Sequence, residues 1–125
     1  MTKKNDILII EDEVDIGILL KEFLENNNFN ITLAEEGKVA VELLKRKHFD
    51  LLIVDMLLPG EHGLDIINMK RHNSITPVII VSGIYDENDV LHRMKDSNVK
   101  FFLKKPFDLN DLLEKVNSAI DADQI

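Results

Sequence analysis

The chain has 125 residues, 45% of them hydrophobic and 30% charged, with 23 Asp+Glu against 15 Lys+Arg and a formal net charge of −8. That length suits a single domain able to bury a core. The acidic balance disfavours direct contact with nucleic-acid phosphates, and zero cysteines rule out disulfides, thiolate zinc sites and cysteine nucleophiles. The first apolar run, Ile7-Leu8-Ile9-Ile10, fits a strand buried on both faces and is too short for a signal peptide or a membrane span. A stripe of Ile16, Leu19, Leu20, Phe23 and Leu24 at helical spacing follows, then an Asn26-Asn27-Asn28 loop. Asn30 to Ala34 alternates polar and apolar residues, as a less covered edge strand would. Next come a short helix over Val39 to Lys47, a buried strand at Leu51-Leu52-Ile53-Val54, and a helix over Leu64 to Arg71. Val78-Ile79-Ile80-Val81 is the fourth strand, and Asp86 to Asp96 the fourth helix. Phe101-Phe102-Leu103, flanked by Lys100 and Lys104, reads as a strand at the other edge. The last helix carries Leu109, Leu112, Leu113, Val116 and Ile120 on one stripe and starts at a cap, Asp108. Five strands alternating with five helices predict a doubly wound α/β domain with a parallel sheet.

The unusual polar residues cluster at the carboxyl ends of those strands, where open α/β sheets place their ligand crevice. Glu11, Asp12 and Glu13 follow the first strand, Asp55 the third, Ser82 ends the fourth and Lys105 follows the fifth. If Glu11, Asp12 and Asp55 converge, each pair about 4 Å apart repels by roughly 4 kcal/mol at an effective dielectric near 20. Either a proton or a cation must answer that repulsion. Oxygen-only ligands favour Mg²⁺ over zinc. A carboxylate beside Mg²⁺, a lysine and a hydroxyl has what phosphoryl transfer to that carboxylate needs, which points to an aspartyl phosphate on Asp55.

These motifs, in this order and spacing, resemble the receiver domain of response regulators in two-component signalling, the flavodoxin-like fold of the bacterial chemotaxis regulator. The resemblance runs from about Asp6 to Ile120. It rests on Ile7-Leu8-Ile9-Ile10-Glu11-Asp12-Glu13, Asp55-Met56-Leu57-Leu58-Pro59-Gly60-Glu61-His62-Gly63, Ser82-Gly83 and Phe102-Leu103-Lys104-Lys105-Pro106-Phe107. It implies a sheet order of 2-1-3-4-5 and a single receiver domain over 1–125, with a core of about 6–121. It further implies that Asp55 takes a phosphoryl group from a histidine kinase or phosphotransfer protein. Glu11, Asp12, Asp55 and the backbone carbonyl of Leu57 would hold Mg²⁺. Lys105 would contact the phosphoryl oxygens, Ser82 and Phe102 would act as the switch pair, and the Lys105-Pro106 bond would be cis. The signalling face would involve the fourth helix, fifth strand and fifth helix, roughly Asp86 to Ile120, and whether it also forms a homodimer is left open.

Three positions depart from the commonest family pattern: Glu11 in place of Asp, Asn98-Val99 in place of Gly-Ala, and Phe102 where Tyr is also common. Glu13 is expected to favour the first helix's N-terminus rather than a metal, and Lys104 to be a solvated edge charge. His48, His62, His72 and His92 lack a repeated metal-ligand spacing and read as surface residues. Asn30-Ile31-Thr32 spells a glycosylation acceptor that a cytoplasmic chain would not use.

The competing functions are a Mg²⁺-dependent aspartyl-phosphate phosphatase and a receiver-shaped interaction module that is never phosphorylated. Haloacid-dehalogenase-like phosphatases need an acid–base Asp two residues after the nucleophile, and Leu57 cannot move a proton. A dinucleotide-binding domain is disfavoured because no Gly-x-Gly-x-x-Gly follows the first strand. The expectation is a cytoplasmic signalling switch, not an enzyme, with no membrane or nucleic-acid contact through this chain. It is either stand-alone or the receiver part of a longer regulator. Leu57 and Ile84, each two residues beyond a site residue, offer nothing to orient an attacking water and predict slow self-dephosphorylation.

Overall fold

A computed structural model describes residues 4–55, 76–83 and 99–123. Five strands, β1 (Asp6–Ile10), β2 (Asn30–Ala34), β3 (Leu51–Asp55), β4 (Val78–Ser82) and β5 (Val99–Lys104), form one sheet in the order β2-β1-β3-β4-β5. Every neighbouring pair is parallel. Three helices stand among the described residues: α1 (Val14–Asn26), α2 (Gly37–Arg46) and α3 (Leu109–Asp123). The helices expected over 64–71 and 86–96 lie outside the described residues, as do Leu57, Ile84, His62, His72 and His92.

The continuous apolar runs are explained by coverage of both sheet faces. Side chains alternate along a strand, so Ile7, Ile9, Leu51, Ile53, Ile79 and Val81 point to the face packed by α1 and α3. The intervening Leu8, Ile10, Leu52, Val54, Val78 and Ile80 point to the other face, with Ala40 of α2 and Phe49. All five residues of β3 and of β4 are buried. The edges fall to β2 and β5, the two runs with polar or lysine interruptions, and β5 pairs with β4 through a register irregularity at Val78/Ile79.

Local chemistry sets the helix ends. Asn27 Nδ2 donates to the Phe23 carbonyl at 2.8 Å, and Asn28 turns to φ 76, a left-handed conformation asparagine tolerates. Asp108 Oδ1 accepts the Asn110 N–H at 2.9 Å, which makes it the cap of α3. In α1, Gly17 permits close approach to β2: a Cβ there would lie 3.0 Å from both Leu33 methyl carbons. One expectation needs correcting. Leu19 is 51% exposed rather than part of the α1 core stripe, because it lies at the stripe's margin beyond Ile16, Leu20 and Leu24. No helix among the described residues is long and apolar enough to cross a membrane.

Candidate functional site

The sheet delivers the polar residues to one edge by ending its strands together. Glu11 follows β1, and its N–H donates to the Ala34 carbonyl at 3.0 Å, which extends the ladder by one step. Asp55 and Ser82 are the last residues of β3 and β4. Lys105 leaves β5 with its N–H donating to the Ser82 carbonyl at 2.8 Å, and the Lys105-Pro106 peptide is cis. The Lys105 side chain is only 19% exposed and borders an apolar groove with Ile16, Leu19, Pro106 and Phe107, while its ammonium reaches the acids.

Carboxylate oxygens of Glu11, Asp12 and Asp55 lie within 4.8 Å of one another. Glu11 and Asp55 are buried, at 2% and 4% exposure, while Asp12 is more open. Lys105 Nζ donates to Glu11 Oε1 at 3.1 Å and to Asp55 Oδ2 at 3.2 Å. The second Glu11 oxygen, Oε2, accepts the Glu13 N–H at 3.3 Å. Burial, reinforced by the hydrogen bond and charge of Asp55, pushes the Glu11 carboxyl up from 4.5 to about 7, against the opposing pull of Lys105. Burial alone would push the Lys105 ammonium down. Its hydrogen bond to Glu11 and the charges of Asp55 and Glu11 outweigh that effect, and the net direction is upward. Lys105 therefore stays a cation. The three clustered acids are an all-oxygen donor set of the kind that takes a hard divalent cation.

The remaining expectations divide. Ser82 is fully buried at its strand end, and Phe102 is half-buried against the α2-side core. Lys104 is exposed and His48 is 76% exposed at its side chain, in keeping with solvated roles. Glu13 is the N-cap residue of α1 but makes no side-chain cap hydrogen bond. Its Oε1 stands 3.8 Å from Lys105 Nζ instead. The sequence reading missed both this contact and the Lys105–Glu11 pair. Only the spacing of a lysine against an acidic triplet hinted at them.

The model of the response regulator receiver domain family matches residues 7–117. The chain is 32% identical over 120 residues to the response regulator ArlR of Staphylococcus saprophyticus, across 96% of this chain and 53% of that protein. It is 30% identical over 115 residues to ArlR of Staphylococcus epidermidis, across 92% of this chain and 52% of that protein. It thus spans about half the length of the curated relatives it matches. Among solved structures, a CheY-like response regulator receiver domain protein from Methanospirillum hungatei superposes with a TM-score of 0.90 at 21% identity, covering 98% of each chain. The non-phosphorylated HemR receiver domain from Leptospira biflexa superposes with a TM-score of 0.85 at 28% identity, covering 94% of each. With the strand order, the acid and lysine placement and the matched span in agreement, the chain belongs to the response regulator receiver domain family.

Proposed function

We propose that Asp55 is the phosphoacceptor of a two-component signalling switch, charged by a histidine kinase or phosphotransfer protein. The observation that carries this reading is the Lys105 ammonium, which donates to Asp55 at the edge of a crowded three-carboxylate cluster. In the transfer, an Asp55 oxygen forms a bond to phosphorus as the phosphorus–nitrogen bond of the donor phosphoimidazole breaks and imidazole leaves. Glu11, Asp12 and Asp55 would hold Mg²⁺, with the Leu57 carbonyl as the further family ligand. An ion held there would neutralise charge on the phosphoryl oxygens. Lys105 supplies a second cation that needs little reorganisation, because its side chain is largely buried and its head is already aimed at Asp55.

The buried Ser82 hydroxyl is proposed to move toward the phosphoryl group, and Phe102 to fill the space it leaves. That pair lies on adjacent strands, β4 and β5, so the change would emerge on the side of the domain that carries β5 and α3. A protein partner, a second copy or an output domain would read that face. The chain is proposed to act in the cytoplasm as a switch rather than as a dedicated enzyme.

Intact mass after incubation with acetyl phosphate and Mg²⁺ tests the assignment. One phosphoryl adduct is expected on the parent chain and none on Asp55→Ala. An adduct that survives in the variant, or none on either, overturns it.

A further inference from the structure

We propose that Glu13 is a donor-selecting residue, an exposed negative charge beside Lys105 that slows phosphorylation by small, strongly anionic donors. The inference rests on Asp55 being the phosphoacceptor.

Three acids face the Lys105 ammonium, and they differ sharply in setting. Glu11 and Asp55 lie at 3.1 and 3.2 Å with side chains 2% and 6% exposed. Glu13 lies at 3.8 Å with its side chain 61% exposed. The main chain of Glu13 is fully committed: its N–H serves Glu11 Oε2, and its carbonyl accepts the Gly17 N–H at 2.9 Å. Its carboxylate is not. An N-cap side chain ordinarily turns back to the helix, but this one makes no cap hydrogen bond and leans on the lysine.

Distance sets the consequence. A donor oxygen hydrogen-bonded to Lys105 Nζ lies about 3 Å from it, and therefore no more than about 7 Å from Glu13 Oε1. Three carboxylates (Glu11, Glu13 and Asp55) already face this one ammonium, and Asp12 clusters with two of them. Glu13 is not in the converging acid trio, so its charge adds repulsion without adding a ligand. One charge against a dianion at that range in water slows the encounter roughly threefold once salt screening is included. A protein donor escapes this penalty by surrounding its phosphoimidazole with groups that complement Glu13.

The test compares acetyl phosphate, a dianion near neutral pH, with phosphoramidate, which carries one net negative charge. In both reactions an Asp55 oxygen bonds to phosphorus, and acetate or ammonia leaves. Adduct formation is timed by intact mass at saturating Mg²⁺ and two ionic strengths, on the parent chain, Glu13→Gln, Glu13→Lys and Glu13→Asp. Glu13→Gln should react with acetyl phosphate roughly threefold faster at low salt, gain less with phosphoramidate, and lose its advantage at high salt. Glu13→Lys should gain more than Glu13→Gln, and Glu13→Asp should match the parent. Equal gains with both donors, a salt-independent gain, or slower reaction of Glu13→Gln would overturn the proposal and make Glu13 a prop for Lys105. No adduct on the parent chain with either donor would instead sink the phosphoacceptor assignment.

Discussion

Lys105 divides its ammonium almost equally between Glu11 at 3.1 Å and Asp55 at 3.2 Å. Glu11 stands where the family more commonly has Asp, and its longer side chain brings a carboxylate to the lysine as well as to the acid cluster. The lysine is therefore shared before any phosphoryl group arrives. A buried acid held this way depends on its protonation for part of its stability.

That dependence gives a pH prediction for the metal-free chain. Glu11 titrates near 4.5 when unfolded and near 7 when folded. Between those values the folded chain keeps a proton that the unfolded chain has released. Its contribution to stability is thus full below pH 4.5 and lost as pH rises through 7. The loss is at most about 3 kcal/mol. Urea melts in chelator from pH 5 to 8 should show stability falling more steeply in the parent chain than in Glu11→Gln, which cannot titrate. Saturating Mg²⁺ should flatten the parent slope, because a cation replaces the proton. Parallel pH slopes for parent and Glu11→Gln in chelator would refute this.

Replacing Lys105 tests the other half of the pair. Lys105→Met keeps the aliphatic stem but removes the charge, so the three clustered acids lose their compensating cation. The variant should be less stable than the parent at pH 8 in chelator, by about 1–3 kcal/mol. It should also bind Mg²⁺ more tightly, since no ammonium competes for the same oxygens. Its phosphorylation should slow on the order of a hundredfold, as for loss of one preorganised charge donor. Denaturant melts, Mg²⁺ titration and timed adduct formation check the three outcomes, and unchanged Mg²⁺ affinity would show that Lys105 does not share the ligands' oxygens.

The fold was legible in the sequence where burial was two-sided. Ile7 to Ile10 and Val78 to Val81 read as strands because both neighbours of each residue face a packed layer, leaving no room for a polar break. The strand-end positions of Glu11, Asp55, Ser82 and Lys105 followed from the same runs. Strand order did not follow from periodicity, which says nothing about crossovers, and came through family resemblance. Leu19 was misplaced because hydrophobicity alone cannot tell the margin of a helical stripe from its centre. The Lys105–Glu11 and Lys105–Glu13 contacts join residues 94 and 92 apart in the chain, and the side-chain direction that makes them is set by packing, not by local pattern.

At Gly17, α1 lies close against Leu33 of β2. An added Cβ would sit 3.0 Å from two Leu33 methyl carbons, at the flexible end of a half-buried side chain. Gly17→Leu forces more atoms into that gap than Leu33 can yield, and should cost about 1–3 kcal/mol by overpacking. Pairing it with Leu33→Ala should recover part of the loss, because the second change vacates the contested space. Urea melts of the two singles and the double measure this coupling. Strict additivity would mean that the helix, and not the Leu33 contact, bears the strain.

A phosphoryl group on Asp55 is expected to be long-lived, because the residues two beyond Asp55 and Ser82 cannot assist water. Hydrolysis of an aspartyl phosphate needs a water oriented in line with the bond to Asp55, and a nearby polar side chain is the usual means. Leu57 and Ile84 are both apolar, and each lies two residues beyond a proposed site residue, Asp55 and Ser82. Substituting a group that can hold water should therefore shorten the lifetime. Leu57→Asn and Ile84→Glu are each expected to speed decay of the purified adduct, within the 10²–10⁴-fold range of general acid–base help and near its lower end. Decay is followed by intact mass after the donor is removed at constant Mg²⁺. If both variants decay at the parent rate, water access is controlled elsewhere, and the apolar pair has no part in setting the duration of the signal.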